Sequence, residues 1–524
     1  MSPGKREYNA HKTAPGEASD VKLDRSSMLY GTAILTAISI VSQVLGFVYR
    51  IFLSRLVGAE VMGLYQLVMP VYSLFLSMTS VGLTAAVSYL SSEYHALGDS
   101  AAAGRVLRRC LGFFLALFVP VAAVTLLGSD PISVYLLGDA RTQLGLLLLL
   151  PCLLLTGIEN LHKHFFYGGG NVRPPAAVEL CEQFIRTAAV LLLLLLFLPQ
   201  NPERTVGLIV LGMCCSEVFS SVTLVLLYRA RRPSAAPAPP GLNRRIAAVA
   251  LPVAATALLG NLMGSATAVL IPQRLVHAGL DVSQAMSAFG VVCGMTLPML
   301  CLPTCFIGAL GLLLSPRLAQ SRALGRTADI RRQLGGALRS TSLLIMPALA
   351  MLVVVGPSLG TLLFREPTAG RYILPLAVGV LFSCYQAVLS SALNGLGRQA
   401  SSARSAILCG AVQLLCTWLL MGLRGVGLSG YVAGFVASSV LGALLNWREV
   451  SRASGLRLHL FSWCAAPALA ALLAASVTAL LLRVLRAADL GEVPAILVCL
   501  LFGLVLYLAA LCAQGVLPRR GELE

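Results

Sequence analysis

Apolar runs of some twenty residues recur from Met28 to Leu517, and they constrain this chain more than any other feature. A helix of about 20 apolar residues covers the ~30 Å hydrocarbon core of a bilayer. In lipid it is also the one open segment that satisfies its own backbone donors and acceptors. Only 12% of the 524 residues are charged, while 57% are hydrophobic and mean hydropathy is +0.83. That is roughly half the charge an ordinary soluble domain carries. A soluble globule could not cover its surface with so little charge, and a disordered, collagen-like or disulfide-stapled chain would not look like this. The sequence predicts an all-α polytopic membrane protein.

About fourteen spans can be drawn, each of ~20 residues or more. They fall at 28–54, 63–90, 107–127, 142–163, 175–199, 205–228, 245–272, 284–314, 338–364, 370–394, 402–422, 426–447, 462–483 and 493–515. The loops then set orientation. With residues 1–27, the even-numbered loops and the C-terminus on one side, that side holds about 28 Lys and Arg against about 9 on the other. Both termini are therefore expected in the cytoplasm, with the protein multi-pass in its membrane. The formal charge of +17 is assigned to topology and to anionic lipid headgroups, so nucleic acid is not needed as a partner. Residues 1–27 are polar and read as a disordered cytoplasmic tail rather than a signal peptide. The basic stretch 315–337 is expected to form an interfacial helix.

The Pro/Ala-rich stretch 230–244 reads as a linker near the middle of the chain and prompts a search for repeats. One emerges at an offset of 227: Ala96-Leu97-Gly98 falls on Ala323-Leu324-Gly325, Arg105 on Arg332, Pro120 on Pro347, Gly168 and Gly170 on Gly395 and Gly397, and Glu159 on Gln386. Six helices per repeat is an even number, so the halves share one orientation and are related by an axis along the membrane normal. The expected organisation is the tail, an N-terminal six-helix lobe (28–229), the linker (230–244), a C-terminal six-helix lobe (245–449) and two additional spans within 460–517. Such a plan leaves a cavity between the lobes.

Several segments resemble the multidrug/oligosaccharidyl-lipid/polysaccharide exporter superfamily, and within it the stage V sporulation protein B-like branch of polysaccharide and lipid-linked precursor flippases. They are Ser42-Gln43-Val44-Leu45-Gly46-Phe47-Val48-Tyr49-Arg50 in the first span, Leu56-Val57-Gly58-Ala59-Glu60 and Gly63-Leu64-Tyr65-Gln66 leading into the second, and Glu182-Gln183-Phe184-Ile185-Arg186 in the fifth. Pro272-Gln273-Arg274-Leu275 after span seven and Phe289 to Met295 in span eight add to the match. The resemblance implies alternating access and movement of an undecaprenyl-linked saccharide or peptidoglycan precursor between leaflets, for cell-envelope or spore cortex synthesis. The lipid II branch shows Ser-Arg-x-x-Gly-Phe-x-Arg in its first helix; here Gln43 replaces the first Arg and Arg50 is displaced by one residue. The resemblance therefore implies a class of cargo rather than lipid II itself.

Ionisable groups inside spans cost roughly 2.5–3.5 kcal/mol each on insertion scales and are candidates for function. The first half carries Glu159, Glu179, Glu182, Arg186 and Glu217, with Arg50 near the end of span one. Glu179, Glu182 and Arg186 share one helix stripe, and Glu182 precedes Arg186 by four, the favourable order for a pair. They read either as a buried ion pair locking helices five and six or as a site for phosphate or a coupling ion, H+ or Na+, facing the cavity between the lobes. Gln43, Asn261, Asn394 and Arg274 complete the candidate transport residues, with interhelical bonding or interface anchoring as their structural readings. The fourteen cysteines sit largely in apolar runs and read as packing residues. No metal-ligand spacing, cofactor motif or clustered catalytic group stands out, so a membrane enzyme is not expected. An ion-coupled multidrug exporter of the same superfamily and a non-transporting envelope-assembly scaffold are the alternatives.

Overall fold

A computed structural model describes residues 25–197, 201–230, 241–423, 425–456, 461–489 and 491–515. Most of the tail 1–27, residues 231–240 of the linker and the C-terminal residues beyond 515 lie outside the described residues. Among those described, every regular element is helical. Thirteen segments are long and apolar enough to cross a membrane. The first, Ala37–Ala96, has 60 residues. At 1.5 Å per residue it would run ~90 Å, three times the hydrocarbon core. Gly58 divides it: φ is +76° and ψ 178°, a conformation that glycine adopts readily and L-residues avoid. This gives two crossings, α1 (25–57) and α2 (59–96). The others are α3 Ser100–Leu127, α4 Ala140–Gly168, α5 Arg173–Phe197, α6 Pro202–Ala230, α7 Leu242–His277, α8 Val282–Ala323, α9 Thr327–Phe364, α10 Ile373–Gly395, α11 Gln399–Met421, α12 Leu428–Ser454, α13 Phe461–Ala487 and α14 Glu492–Ala513.

The offset of 227 recurs in the elements themselves. α2 and α8 close on left-handed Gly98 and Gly325, and α4 and α10 on Gly170 and Gly397. All four ends carry the same cap, in which the residue after the glycine donates its N–H five residues back (Asp99 to Tyr94, Arg326 to Ser321, Asn171 to Phe166, Arg398 to Leu393). Between α3 and α4, a π-turn Ile132–Leu137 ends on left-handed Gly138, and a 3-10 turn Ala140–Thr142 follows. The counterpart is a π-turn Gly360–Phe364, left-handed Arg365 and a 3-10 turn Pro367–Gly370. Asp139 and Glu366 stand at equivalent places, and each side chain accepts a backbone N–H two residues on.

Packing repeats as well. α4 and α5 both pack on α6, as α10 and α11 pack on α12; α2 with α4 matches α8 with α10, and α1 with α5 matches α7 with α11. The two lobes meet where α2 crosses α7 and where α1 and α2 lie against α8. α13 and α14 pack on each other and on α9. The stretch 315–337 differs from the expected interfacial helix. It is the end of α8 and the start of α9, joined by a turn at 324–326. Gly325, at φ +68°, caps α8 so tightly that α9 starts two residues later and carries Arg331 and Arg332 on its own first turns.

Candidate functional site

Two polar assemblies stand out in the apolar bundle. The first lies within the N-terminal lobe, among α4, α5 and α6. Arg186 projects from α5, and its Nη2 donates to Glu182 Oε1 and, at 2.9 Å, to Glu217 Oε1 on α6. Its Nε donates to Ser216 Oγ at 3.3 Å. On α4, Glu159 accepts from Ser220 Oγ at 3.0 Å and pairs with Lys163 Nζ at 3.3 Å; Lys163 also reaches Glu179 on α5 at 3.3 Å. Glu159, Glu182 and Glu217 are all buried, and each offers a carboxylate oxygen within 4.8 Å of the others. Four carboxylates therefore face two cations, and Glu217 Oε2 has no hydrogen-bond partner among the described residues. Oxygen donors so arranged suit a proton or a hard cation better than an anion. Tyr72 extends the polar group toward α2 through a 2.6 Å bond to Thr156.

The second assembly is a cavity of about 380 Å³ at the junction of the lobes, between α1, α2 and α8. Gln43, Gly46, Phe47 and Arg50 of α1 line it with Gln66 of α2, opposite Cys293, Leu297 and Cys301 of α8. Arg50 Nη1 and Gln66 Nε2 are buried without a hydrogen-bond partner among the described residues, as are the neighbouring Tyr49 and Ser42 hydroxyls. Unpaired buried donors are costly, so this wall leaves hydrogen-bond donors available to water or to a bound molecule. Beyond one end of the cavity the lobes are tied together. Arg55, just past Arg50, donates Nε to Leu363 O at 2.6 Å and Nη2 to Leu362 O across the lobe boundary. Gln273 donates to Leu136 O at 3.2 Å in the reverse sense, and Phe47 meets Phe364 edge-on at 6.2 Å.

The structure thus brings Glu182, Arg186 and Glu217 into one cluster and Gln43 with Arg50 into one cavity. The remaining candidates stand apart from both. Asn261 on α7 donates to Ser77 Oγ at 3.2 Å and ties α7 to α2. Arg274 stacks on Trp418 at 4.7 Å and donates twice to its carbonyl, tying α7 to α11. Asn394 is an exposed residue in the last turn of α10. Sequence reasoning missed Lys163 and Gln66. Lys163 was signalled by its position four residues after Glu159, and Gln66 by its place in the Gly63-Leu64-Tyr65-Gln66 segment leading into the second span.

Residues 28–281 match the family model described as polysaccharide biosynthesis protein. The chain is 24% identical over 436 residues to stage V sporulation protein B of Bacillus subtilis (strain 168), covering 82% of this chain and 84% of that protein. It is also 24% identical over 457 residues to the lipid II flippase MurJ of the same organism, covering 81% and 83%. Among solved structures, a multidrug resistance MATE family transporter of the MOP superfamily in its inward-facing conformation superposes with a TM-score of 0.68 at 14% identity, covering 82% of this chain and 100% of that one. Lipid II flippase MurJ in an inward closed conformation superposes with a TM-score of 0.66 at 12% identity, covering 91% and 98%.

Proposed function

Because this chain belongs to the multidrug/oligosaccharidyl-lipid/polysaccharide exporter superfamily, in its polysaccharide-biosynthesis flippase branch, we propose that it moves a lipid-linked saccharide or peptidoglycan precursor from the cytoplasmic to the outer leaflet by alternating access. The chain is a multi-pass membrane transporter of the flippase type. The finer reading rests on one observation: a guanidinium with an unpaired, buried Nη1 faces a polar cavity at the junction of the lobes. A diphosphate-linked lipid must carry a multiply charged anion through a medium where an uncompensated charge is costly. Arg50 keeps its proton and can hold two phosphate oxygens with parallel donors, while Gln43 and Gln66 supply amides for sugar hydroxyls.

The contacts of Arg55, Gln273 and Phe47 join the lobes at the end that the Lys and Arg bias predicts to be outside, which supports a seal on that side. In this conformation, cargo enters from the cytoplasmic side. The carboxylate cluster of α4, α5 and α6 supplies the coupling, by taking up H+ or Na+ in one access state and releasing it in the other. A second reading, an ion-coupled exporter of organic cations, draws on the same excess of carboxylate. The two readings part at Arg50, because a guanidinium in the cavity repels a cation.

Proteoliposomes loaded with a labelled undecaprenyl-diphosphate saccharide provide the test. Wild-type protein is expected to flip it, Arg50→Ala to abolish flipping at normal abundance, and Arg50→Lys to retain part of it. Full flipping by Arg50→Ala, or transport of organic cations that Arg50→Ala improves, would reject the reading.

A further inference from the structure

A separate cavity of about 610 Å³ lies in the N-terminal lobe between α3, α4 and α6, away from the lobe junction and from the carboxylate cluster. Its lining has a vertical order. On α3, Arg108, Leu111 and Leu115 follow at i, i+3 and i+7, so they lie on one stripe, with Arg108 nearest the start of the helix. On α6, Arg229 in the last turn stands four residues beyond Val225, and on α4, His162 stands four beyond Ile158. α3 begins at the end of the bundle where α4 and α6 finish. All three helices therefore place a polar group at that end and an aliphatic one a turn deeper. Leu115 is 45% exposed, so the apolar part opens toward lipid.

The polar end has the charge of an anion site. Arg108 and Arg229 are exposed and form no ion pair among the described residues, while Arg105, one turn before Arg108, is already held by Asp99 at 3.7 Å. No carboxylate lines the cavity. His162 is 3% exposed, and its Nδ1 donates to Ile158 O at 2.7 Å while its ring packs against Tyr228. When the ring is neutral, this bond leaves Nε2 as an acceptor, which suits a hydroxyl donor.

We infer that this cavity is a binding site for an anionic phospholipid with a hydroxylated headgroup, of the phosphatidylglycerol type: Arg108 and Arg229 hold the phosphodiester, His162 accepts from the headgroup hydroxyl, and an acyl chain lies along Leu111, Leu115 and Val225. The stacked order of polar and aliphatic groups on three helices favours an amphiphile over free phosphate. Basic residues near the headgroup region attract anionic lipid individually; here two converge on one cavity.

The test uses the purified full-length protein in phosphatidylcholine vesicles with and without phosphatidylglycerol, read by the thermal unfolding midpoint and by lipid retained in native mass spectrometry. Phosphatidylglycerol is expected to raise the midpoint of the wild type and to stay bound. Arg108→Gln combined with Arg229→Gln should weaken its retention by roughly thirtyfold, the loss of two basic contacts. Arg108→Lys combined with Arg229→Lys should retain it, which separates charge loss from misfolding. Equal retention by the Gln pair and the wild type overturns the assignment. So does an equal rise in midpoint with inorganic phosphate alone, which would make the site one for soluble anions. Displacement of the bound lipid by an undecaprenyl-diphosphate saccharide also overturns it, since the cavity would then be a cargo site. Retention does not require flipping, so failure of the transport reading leaves this result standing.

Discussion

Adding one methyl group where α2 meets α8 should bias the transporter toward its other access state. Gly63 and Gly290 are equivalent under the repeat, and each faces a backbone carbonyl of the opposite lobe. A Cβ on Gly290 would lie 2.0 Å from Ala59 O, and one on Gly63 would lie 2.1 Å from Met286 O. Ala59 and Met286 are themselves separated by 227 residues, so the pseudo-two-fold axis passes through this crossing. An obstructing carbonyl cannot swing aside as a side chain would, and the helices must part by roughly 1 Å or more to regain ordinary contact. Overpacking of this kind costs about 1–3 kcal/mol. A state in which the lobes separate at this end escapes that cost, so its population should rise about 5–150-fold relative to the sealed state. Cys293 lines the adjoining cavity and serves as a native reporter. Its labelling by a membrane-impermeant thiol reagent added outside, mapped by peptide mass spectrometry, should rise in Gly290→Ala and in Gly63→Ala while the flipping rate falls. Gly264→Ala, at a position where a Cβ meets nothing within 4 Å, should behave as wild type. Wild-type labelling together with a wild-type rate in both Gly290→Ala and Gly63→Ala would refute the sealed crossing.

Removing Arg186 leaves Glu182 and Glu217 buried without their shared cation, and Arg186→Ala should lower stability by about 3–5 kcal/mol as read by chemical or thermal unfolding. Arg186→Lys keeps the charge but loses the bond from Nε to Ser216, so it should insert at normal abundance and transport slowly; full transport by both Arg186→Lys and Arg186→Gln would leave Arg186 a structural partner only. Lys163→Met strips the counter-ion from Glu159 and should destabilise by a comparable amount, about 3 kcal/mol or more, with much of the loss recovered when Glu159→Gln is added. If the double variant unfolds no later than Lys163→Met alone, Glu159 is not the group that Lys163 neutralises.

The crossings were legible because the apolar runs outlast any alternative, and the cluster of Glu182, Arg186 and Glu217 because charge in such runs is conspicuous. What sequence could not supply was the identity of a partner far along the chain. Asn261 and Arg274 look like Gln43 and Arg50 in a linear reading, since all four are polar residues in or beside apolar helices. The difference lies across the interface: Ser77 and Trp418 satisfy the first two, 184 and 144 residues away, while Arg50 and Gln66 face a cavity with donors unpaired. Lys163 escaped notice for a different reason. It is the last residue drawn for span four, at the edge of the apolar run, whereas α4 continues to Gly168 and carries it inward to Glu159 and Glu179.

The repeat explains why one lobe is charged and the other is not. Positions that fix the backbone recur in both halves, as helix-ending Gly98 with Gly325 and Gly170 with Gly397, as the left-handed pair Gly138 and Arg365, and as the turn carboxylates Asp139 and Glu366. The buried charges within the helices do not. Glu159, Glu182, Arg186 and Glu217 correspond to Gln386, Cys409, Gln413 and Leu444. In the second lobe these places are served by neutral contacts: Ser438 Oγ lies 3.5 Å from Gln413 Oε1, and the Gln386 carbonyl accepts from Asn446. Two lobes that must meet at one end and then part need matching ends, because each crossing about the axis involves equivalent backbone from both. Nothing in that requirement constrains the interior of a lobe. A titratable cluster held within α4, α5 and α6 alone can change its charge from inside one lobe, which is what the proposed coupling requires if ion binding is to bias one half against the other.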